Sequence, residues 1–487
     1  MDAGESSTPV MFFLPFVGGG HFLPMVDLAR LMASHGASST IVAPPTAVPL
    51  LRNYILRDRT SGLPVSLHTL ELPSAAAIDA ADMFALPFTD TTALRDPLRQ
   101  LMAERRPDCL VADMFHPWAL DVADELGIPR IFFGGHGCFA RCAEDSIRRH
   151  APHEAVGSDS EPFEISGLPD RVQLTRSRLP SFVRTRPDER VGDRIGKAME
   201  SSFGVLVNSF YELEPAYADY FREQVVRRAW LVGPACLFNR NWEDKAERGG
   251  EKASIQPENC VAWLDSKPPA SVLYVCFGSV AARPPPRQIQ EIAHGLEASN
   301  HAFLWVLKKV RGKGGREEDD GGCLPEGYEE RVVESGKGLI VRGWSPQLLI
   351  LGHPATGGFM THCGWNSTTE AVAAGVPVAT WPLSADQFHN ENLVTEVLKV
   401  GVRVGSAEWM RWDSEPTATV GREKVAEAVR RVMGGGVEAA DMRRRMKELA
   451  AMARRAVEEG GSSFVDAEAL VAELKAARRT RAGFFDD

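Results

Sequence analysis

The stretch Gly357-Gly358-Phe359-Met360-Thr361-His362-Cys363-Gly364-Trp365-Asn366-Ser367 runs from an apolar strand through a Gly-containing turn into a helix over Thr368 to Ala374, which Gly375 stops. A strand, a tight turn and a helix within so few residues are the opening of a βαβ unit, and that unit imposes parallel strands. The same grammar extends on both sides. Val10 to Phe16, Ser39 to Ala43, Cys109 to Ala112, Arg130 to Phe133 and Gly204 to Asn208 read as strands separated by amphipathic stretches. A second series follows at Ser271 to Phe277, Phe303 to Val306, Gly338 to Val341, Gly357 to Met360 and Val376 to Trp381. Two doubly wound α/β domains are the expected architecture.

Between the two series, Asn239 to Pro257 is polar and charged without apolar periodicity, so a boundary is expected near residue 250. That gives domains at 1–250 and 251–460. Lys308 to Gly322 reads as a surface loop inside the second. The tail from Gly460 to Arg479 has Ser462 and Ser463 as candidate N-caps, then Phe464, Ala467, Leu470, Val471 and Leu474 at helical spacing. This last helix, within 461–487, is expected to pack back on the N-terminal domain.

Composition narrows the function. Of 487 residues, 44% are apolar and 25% charged, which excludes disordered, collagenous and disulfide-framework proteins. Lys+Arg 55 against Asp+Glu 65 leaves a net charge of −10 and no basic block, so nucleic acid is not an expected partner. Eight cysteines without a CxxC pair point to reduced thiols and no zinc site. The acidic N-terminus and Pro15 disfavour a signal peptide, and no run has the 18 or more apolar residues of a membrane span, so a cytoplasmic location is expected.

Three places carry candidate chemistry. The first strand leads into Gly18-Gly19-Gly20-His21-Phe22-Leu23-Pro24, a turn without the G-x-G-x-x-G spacing of nicotinamide sites. His21 falls at the carboxyl end of a strand, where open α/β sheets bind ligands, although capping the next helix is an equally ordinary use. Asp113 ends the strand Cys109 to Ala112 at the same edge, where it either orients a histidine or caps the helix beginning near Pro117. His116 and Trp118 read as wall or core. In the third place, His362, Asn366 and Ser367 lie at a helix N-terminus suited to a pyrophosphate, while Ser367 and Glu370 also have capping-box spacing. Both readings of Glu370 stay open.

The 44 residues from Trp344 to Gln387 resemble the signature of the plant secondary product glycosyltransferases. Trp344, Pro346, Gln347, His353, Gly357, Phe359, the run Thr361-His362-Cys363-Gly364-Trp365-Asn366-Ser367, Glu370, Gly375-Val376-Pro377, Pro382 and Asp386-Gln387 occupy its fixed positions. The Gly-Gly-Gly-His turn, the strand ending in Asp113, Phe277-Gly278-Ser279 and the C-terminal helix follow in the family's order. The resemblance implies a GT-B fold, two Rossmann-like domains facing across a cleft. It also implies inverting, metal-independent glucosyl transfer from UDP-glucose to a hydroxyl of a small apolar acceptor such as a flavonoid, another phenolic, a terpenoid or a steroid.

By the same resemblance, His21 is the base and Asp113 its partner. Trp344 stacks on uracil, Gln347 and Glu370 hold the ribose, and Ser279, His362, Asn366 and Ser367 contact the diphosphate, with Ser345 in the same block. Asp386 and Gln387 bind sugar hydroxyls, and Trp365 is associated with glucose. UDP-glucose is a co-substrate, no cofactor or metal is implied, and a monomer is expected. The chain departs from the family at Phe133-Gly134-Gly135-His136-Gly137-Cys138-Phe139, where His136 stands at a usual Ser or Thr. Xylose, galactose or rhamnose as the sugar is therefore the alternative, and a non-catalytic nucleotide-sugar-binding protein is the reading from another class. Leu72 to Leu86 lacks the family's acceptor-side motif. Met83, Phe84, Phe88, Trp118, Phe139 and Phe203 are candidate acceptor walls or core residues.

Overall fold

The computed structural model describes residues 8–71, 90–180, 183–184, 189–248, 254–278, 284–307, 310–311, 317–318, 323–410 and 418–483. Within these residues the chain forms two parallel sheets. The first contains β1 (Val10–Leu14), β2 (Ser38–Ala43), β3 (Val65–Thr69), β4 (Cys109–Asp113), β5 (Arg130–Phe133), β6 (Gly204–Val207) and β7 (Ala229–Leu231). Their spatial order is β3-β2-β1-β4-β5-β6-β7. The second contains β8 (Val272–Cys276), β9 (Ala302–Leu307), β10 (Gly338–Arg342), β11 (Thr356–Thr361), β12 (Val378–Thr380) and β13 (Gly401–Arg403), in the order β10-β9-β8-β11-β12-β13. Every pairing in both is parallel.

The strand sequences explain this arrangement. In β1, Met11 and Phe13 pack into the core on one face of the sheet, while Phe12 and Leu14 enter the core on the other. A strand covered on both faces needs an unbroken apolar run, and Val10-Met11-Phe12-Phe13-Leu14 supplies one. In the second sheet Leu273, Val275, Phe303, Trp305, Met360 and Val402 line one core. Both orders reverse direction beside their first strand, between β1 and β4 and between β8 and β11. Such a reversal leaves a crevice at the carboxyl edge, because the crossovers on its two sides lie on opposite faces of the sheet.

The strands absent from the sequence reading, β3, β7 and β13, lie at the sheet edges. β3 exposes part of its Val65-Ser66-Leu67-His68-Thr69 run, β13 is only half-buried at its ends, and β7 has only three residues, although Ala229-Trp230-Leu231 is apolar and buried. The stretch 308–322, expected to be a loop, holds a small antiparallel pair, Val310–Arg311 with Glu317–Glu318. The polar stretch around residue 250 contains the helix Trp242–Glu247, capped by Asn241 Oδ1 accepting from the Asp244 N–H at 2.8 Å.

Two compact units emerge, and they differ from a single boundary near residue 250. One comprises Met1–Cys142, Pro187–Asn239 and Ala453–Asp487; the other comprises Ala143–Arg186 and Arg240–Met452. Segment 143–186 is fastened inside the second unit. There Ser177 Oγ donates to the Ala407 carbonyl at 2.8 Å, and the Trp409 N–H donates to the Ser177 carbonyl at 2.8 Å. No helix of the described residues is long and apolar enough to cross a membrane.

The C-terminal helix Ser462–Gly483 belongs to the first unit, where Ala467, Leu470, Val471 and Leu474 enter the core around β1. Ser462 and Ser463, candidate caps in the sequence, instead donate to Glu212 Oε2 at 2.7 Å and to the Gly233 carbonyl at 2.6 Å. Asp466 accepts from Arg222 Nη2 at 2.6 Å and from the Leu231 N–H at 2.7 Å, which ties the helix to β7. Leu470 is fully buried, so Leu470→Ala is expected to cost about 2–5 kcal/mol and to lower the thermal unfolding midpoint. An unchanged midpoint would show that the helix contributes nothing to that core.

Candidate active site

At the carboxyl edge of the first sheet, β1 ends at Leu14 and the chain turns through the single 3-10 turn Gly19–His21 into helix Phe22–Ser34. β4, its neighbour across the reversal, ends in Asp113, and the register pairs Leu14 with Ala112. The two candidate residues are therefore brought together by sheet order. His21 Nδ1 lies 2.8 Å from Asp113 Oδ2. His21 makes no side-chain cap to its helix, so its ring is committed to the carboxylate.

Asp113 is fully buried, and its other oxygen accepts from the Phe115 N–H at 3.0 Å. The helix beginning at Ala119 has no side-chain cap, so Asp113 is not a cap for it. A carboxylate at Nδ1 fixes the proton there and leaves the Nε2 lone pair as the basic position. The ring is held by Phe115, centroids 4.8 Å apart, and by the edge contact with Phe16 at 6.3 Å. Gly135, at φ +68°, closes it from another side, and a Cβ there would lie 2.9 Å from His21 Cε1. His136 follows, half-buried, with its ring 6.5 Å from that of His21.

Arg130 is a participant that sequence reasoning missed. Fully buried, it donates from Nη1 to the Ala198 carbonyl at 3.0 Å and from Nη2 to the Asp113 carbonyl at 3.5 Å. Burial pushes its guanidinium down to about 10, partly offset by the charge of Asp113. A strand-initial arginine carries no local sign of such a role.

His116 is structural: its ring pairs with Thr91 Oγ1 at 2.9 Å and the Pro15 carbonyl at 3.3 Å, and burial pushes it down to about 4. Three candidate acceptor walls also prove to be packing residues. Trp118 is buried and donates to Thr91 Oγ1 at 2.9 Å, Phe139 packs on Tyr217, and Phe203 stacks on Trp230. Met83, Phe84 and Phe88, with Leu72 to Leu86, lie outside the described residues.

The second sheet repeats the plan. Gly278 follows β8 at φ +78°, and His362 follows β11. A Cβ on either Gly278 or Gly364 would lie 2.5 Å from the His362 ring, so both glycines are required by its close approach. Burial pushes His362 down to about 4, and its Nδ1 has no hydrogen-bond partner among the described residues. Ser279 lies outside the described residues.

Helix Trp365–Ala374 begins three residues earlier than the sequence suggested, with Gly364 as N-cap and no side-chain cap. Ser367 and Glu370 therefore form no capping box. Both turn instead to Gln347, whose Nε2 donates to Ser367 Oγ at 3.2 Å and to Glu370 Oε2 at 2.7 Å. Tyr274 Oη contacts Ser345 Oγ at 2.9 Å and donates to Gln347 Oε1 at 3.1 Å. Arg248 Nη1 donates to Glu370 Oε1, while the Arg248 carbonyl accepts from Trp344 Nε1 at 2.8 Å.

Trp365 is buried in the core beneath this edge. Gln387 Oε1 accepts from the Leu383 and Ser384 N–H groups at 2.8 and 2.9 Å, and Asp386 Oδ2 accepts from Asn390 Nδ2 at 2.8 Å. Asn390 Nδ2 also donates to the Cys363 carbonyl at 2.9 Å, linking the Asp386 loop to the His362 turn. Tyr274, Arg248 and Asn390 escaped the sequence reading, the first inside an apolar strand and the second inside an apparent linker. Among the described residues no cluster of three or more His, Cys, Asp or Glu is placed to hold a metal ion.

Residues 92–410 match the sequence profile of the family described as "UDP-glucoronosyl and UDP-glucosyl transferase". The chain belongs to this family. It is a glycosyltransferase with the GT-B fold. It is 54% identical to the abscisate beta-glucosyltransferase of Phaseolus angularis, across 96% of this chain and 97% of that protein. It is 48% identical to UDP-glucose flavonoid 3-O-glucosyltransferase 7 of Fragaria ananassa, across 95% and 96%. Among solved structures, Glycyrrhiza uralensis UGT73P12 complexed with glycyrrhetinic acid 3-O-monoglucuronide superposes with a TM-score of 0.89 at 38% identity, covering 98% of this chain and 97% of that one. Medicago truncatula UGT71G1, complexed with UDP-glucose, superposes with a TM-score of 0.78 at 25% identity, covering 97% and 100%.

Burial sets the charge of two histidines in this glycosyltransferase. His116 and His362 are both pushed down to about 4, against 6.5 for a free imidazole, so the folded chain binds fewer protons than the unfolded chain between those values. Stability from their neutral burial is therefore full above about pH 6.5 and is lost as pH falls towards about 4. In an imidazole NMR titration both rings are expected to stay neutral at pH 5. Titration near 6.5 would contradict their burial.

Proposed function

We propose that this enzyme transfers glucose from UDP-glucose to a hydroxyl of a small apolar acceptor, with inversion, to give a β-glucoside. The observation that carries the reading is the 2.8 Å contact between His21 Nδ1 and Asp113 Oδ2 at the crevice of the first sheet. His21 Nε2 takes the acceptor proton as the acceptor oxygen attacks the anomeric carbon opposite the nucleotide. The bond from that carbon to the diphosphate breaks, and UDP leaves with the electron pair. Asp113 keeps the imidazole in the productive tautomer and stabilises the imidazolium until the proton passes to solvent. Because the α-linked diphosphate departs from the face opposite the incoming oxygen, the product is the β-anomer.

The donor reading rests on chemistry suited to each residue. Trp344 offers a flat indole for uracil, and Glu370 with Gln347 offers an acceptor-rich pair for the ribose diol. His362, Asn366 and Ser367 meet the diphosphate at the N-terminus of helix Trp365–Ala374, where no side chain caps the backbone N–H groups, and Ser279 is assigned to the diphosphate by the sequence resemblance alone. His362, kept neutral by burial, serves there as a hydrogen-bond donor rather than a cation. Leaving-group charge is thus carried by N–H dipoles, with no metal in the scheme. Asp386 and Gln387 take sugar hydroxyls, while Ser345, pinned by Tyr274, steadies the loop that carries Trp344 and Gln347.

Relatives named for abscisate, flavonoid and scopoletin glucosylation support a small, mainly apolar acceptor. All eight cysteines are free thiols, which favours a reducing compartment and hence the cytoplasm. The scheme needs only one copy of the chain. His21→Ala is expected to slow turnover with UDP-glucose and an alcohol acceptor by about 10²- to 10⁴-fold while UDP binding persists. Turnover within a few-fold of wild type in a folded, UDP-binding variant would remove His21 as the base.

A further inference from the structure

Tyr274 sits in the middle of β8, within the otherwise apolar run Val272-Leu273-Tyr274-Val275-Cys276. Its side chain is fully buried, and its ring stacks on Phe359 of β11 with centroids 4.7 Å apart. The hydroxyl reaches two residues of the segment after β10, lying 2.9 Å from Ser345 Oγ and 3.1 Å from Gln347 Oε1. An amide oxygen only accepts, so the phenol proton goes to Gln347 and the Ser345 hydroxyl donates to the phenol oxygen. The Cys276 thiol is a further hydrogen-bond neighbour of the phenol. Burial pushes Tyr274 well above the ordinary range of a phenol, so the proton that it gives to Gln347 is kept.

With its oxygen turned to Tyr274, the Gln347 amide presents its nitrogen to the other side. There Nε2 donates to Glu370 Oε2 at 2.7 Å and to Ser367 Oγ at 3.2 Å. Reversing the amide would set Oε1 against the Glu370 carboxylate and take the acceptor away from the phenol proton. Interactions at the two ends of the amide thus enforce one orientation. The result is an N–H donor beside a carboxylate acceptor, which complements a vicinal diol because each hydroxyl both donates and accepts. Tyr274 has no exposed surface, whereas Gln347 is half-buried, so an effect of the phenol on a ligand passes through the amide.

We propose that Tyr274 is a positioning residue for nucleotide recognition: its hydroxyl holds the Gln347 amide with the nitrogen towards Glu370, so that the pair meets the two ribose hydroxyls of a UDP-sugar as one donor and one acceptor. This rests on the donor-site reading given above. It makes ribose recognition depend on a group that the ligand does not touch, and it predicts that losing the phenol hydroxyl is felt only by nucleotides that carry the ribose hydroxyls.

The test is calorimetric titration of the full chain with UDP and with 2′,3′-dideoxyuridine diphosphate, which lacks both ribose hydroxyls. Tyr274→Phe keeps the ring that stacks on Phe359 and removes only the hydroxyl. Loss of one neutral hydrogen bond is expected to weaken UDP about fivefold, with affinity for the dideoxy nucleotide unchanged. KM for UDP-glucose is expected to rise by a similar factor at nearly constant kcat. In a Gln347→Ala chain, Tyr274→Phe is expected to weaken UDP no further, because the phenol acts through that amide. Unchanged UDP binding, equal weakening for both nucleotides, or a full additional loss in the Gln347→Ala chain overturns the proposal. If Tyr274→Phe does not fold, 4-fluorophenylalanine at position 274, which fills the space of the hydroxyl and has no proton to give, is read by the same comparison. Trp344→Ala and Glu370→Gln separate the two levels. If both leave UDP affinity unchanged, the donor-site reading itself fails; if both weaken UDP while Tyr274→Phe shows no hydroxyl-dependent loss, only the positioning role fails.

Discussion

The contact between His21 and Asp113 exists because β1 and β4 are neighbours at the reversal of the first sheet, and because both chains leave that sheet at the same edge. Residues 92 positions apart in sequence meet at 2.8 Å without a long side chain or a special loop. Once they meet, the surroundings are constrained. Residue 135 must be glycine for the ring to fit, the Phe115 N–H must hold the second carboxylate oxygen, and a buried arginine lies behind the strand. A carboxylate with no exposed surface is costly unless each oxygen is engaged, and here one is held by backbone and the other by the imidazole.

The second unit uses the same topological device for a different chemical end. Gly278 after β8 and His362 after β11 flank its reversal, but this histidine has no carboxylate partner among the described residues, and burial pushes it down to about 4. In the proposed function one histidine accepts a proton and the other donates a hydrogen bond. Around the second, Tyr274, Ser345, Gln347, Ser367, Glu370 and Arg248 form one connected chain of polar contacts. Such a chain fixes the positions of several candidate donor-site groups together, since moving any one leaves another buried and unpaired.

Much of this was legible in the sequence because it depends on strong local signals. Continuous apolar runs marked the buried strands, and the block from Trp344 to Gln387 marked the family. What escaped depends on tertiary context. The edge strands Val65–Thr69 and Gly401–Arg403 are short and partly exposed, so periodicity is silent there. Ser367 and Glu370 matched a capping box, but the helix starts at Trp365, and the side chains found partners on another segment. Trp118, Phe139 and Phe203 could be read as ligand walls or as core, because a large aromatic residue beside a site resembles one in the core beneath it. Arg248 looked like linker because a polar stretch does not reveal which of its charges folds back. Segment 143–186 sits with the second unit through contacts such as Ser177 with Ala407, which no local pattern encodes.

The central claim is that the Asp113 carboxylate arms His21 for proton transfer, and Asp113→Asn tests it most directly because it keeps the shape of the side chain while removing its charge. Steady-state kinetics with UDP-glucose and an alcohol acceptor are expected to show a kcat reduced by at least tenfold with little change in KM for UDP-glucose. A folded Asp113→Asn enzyme with kcat within a few-fold of wild type would contradict the account.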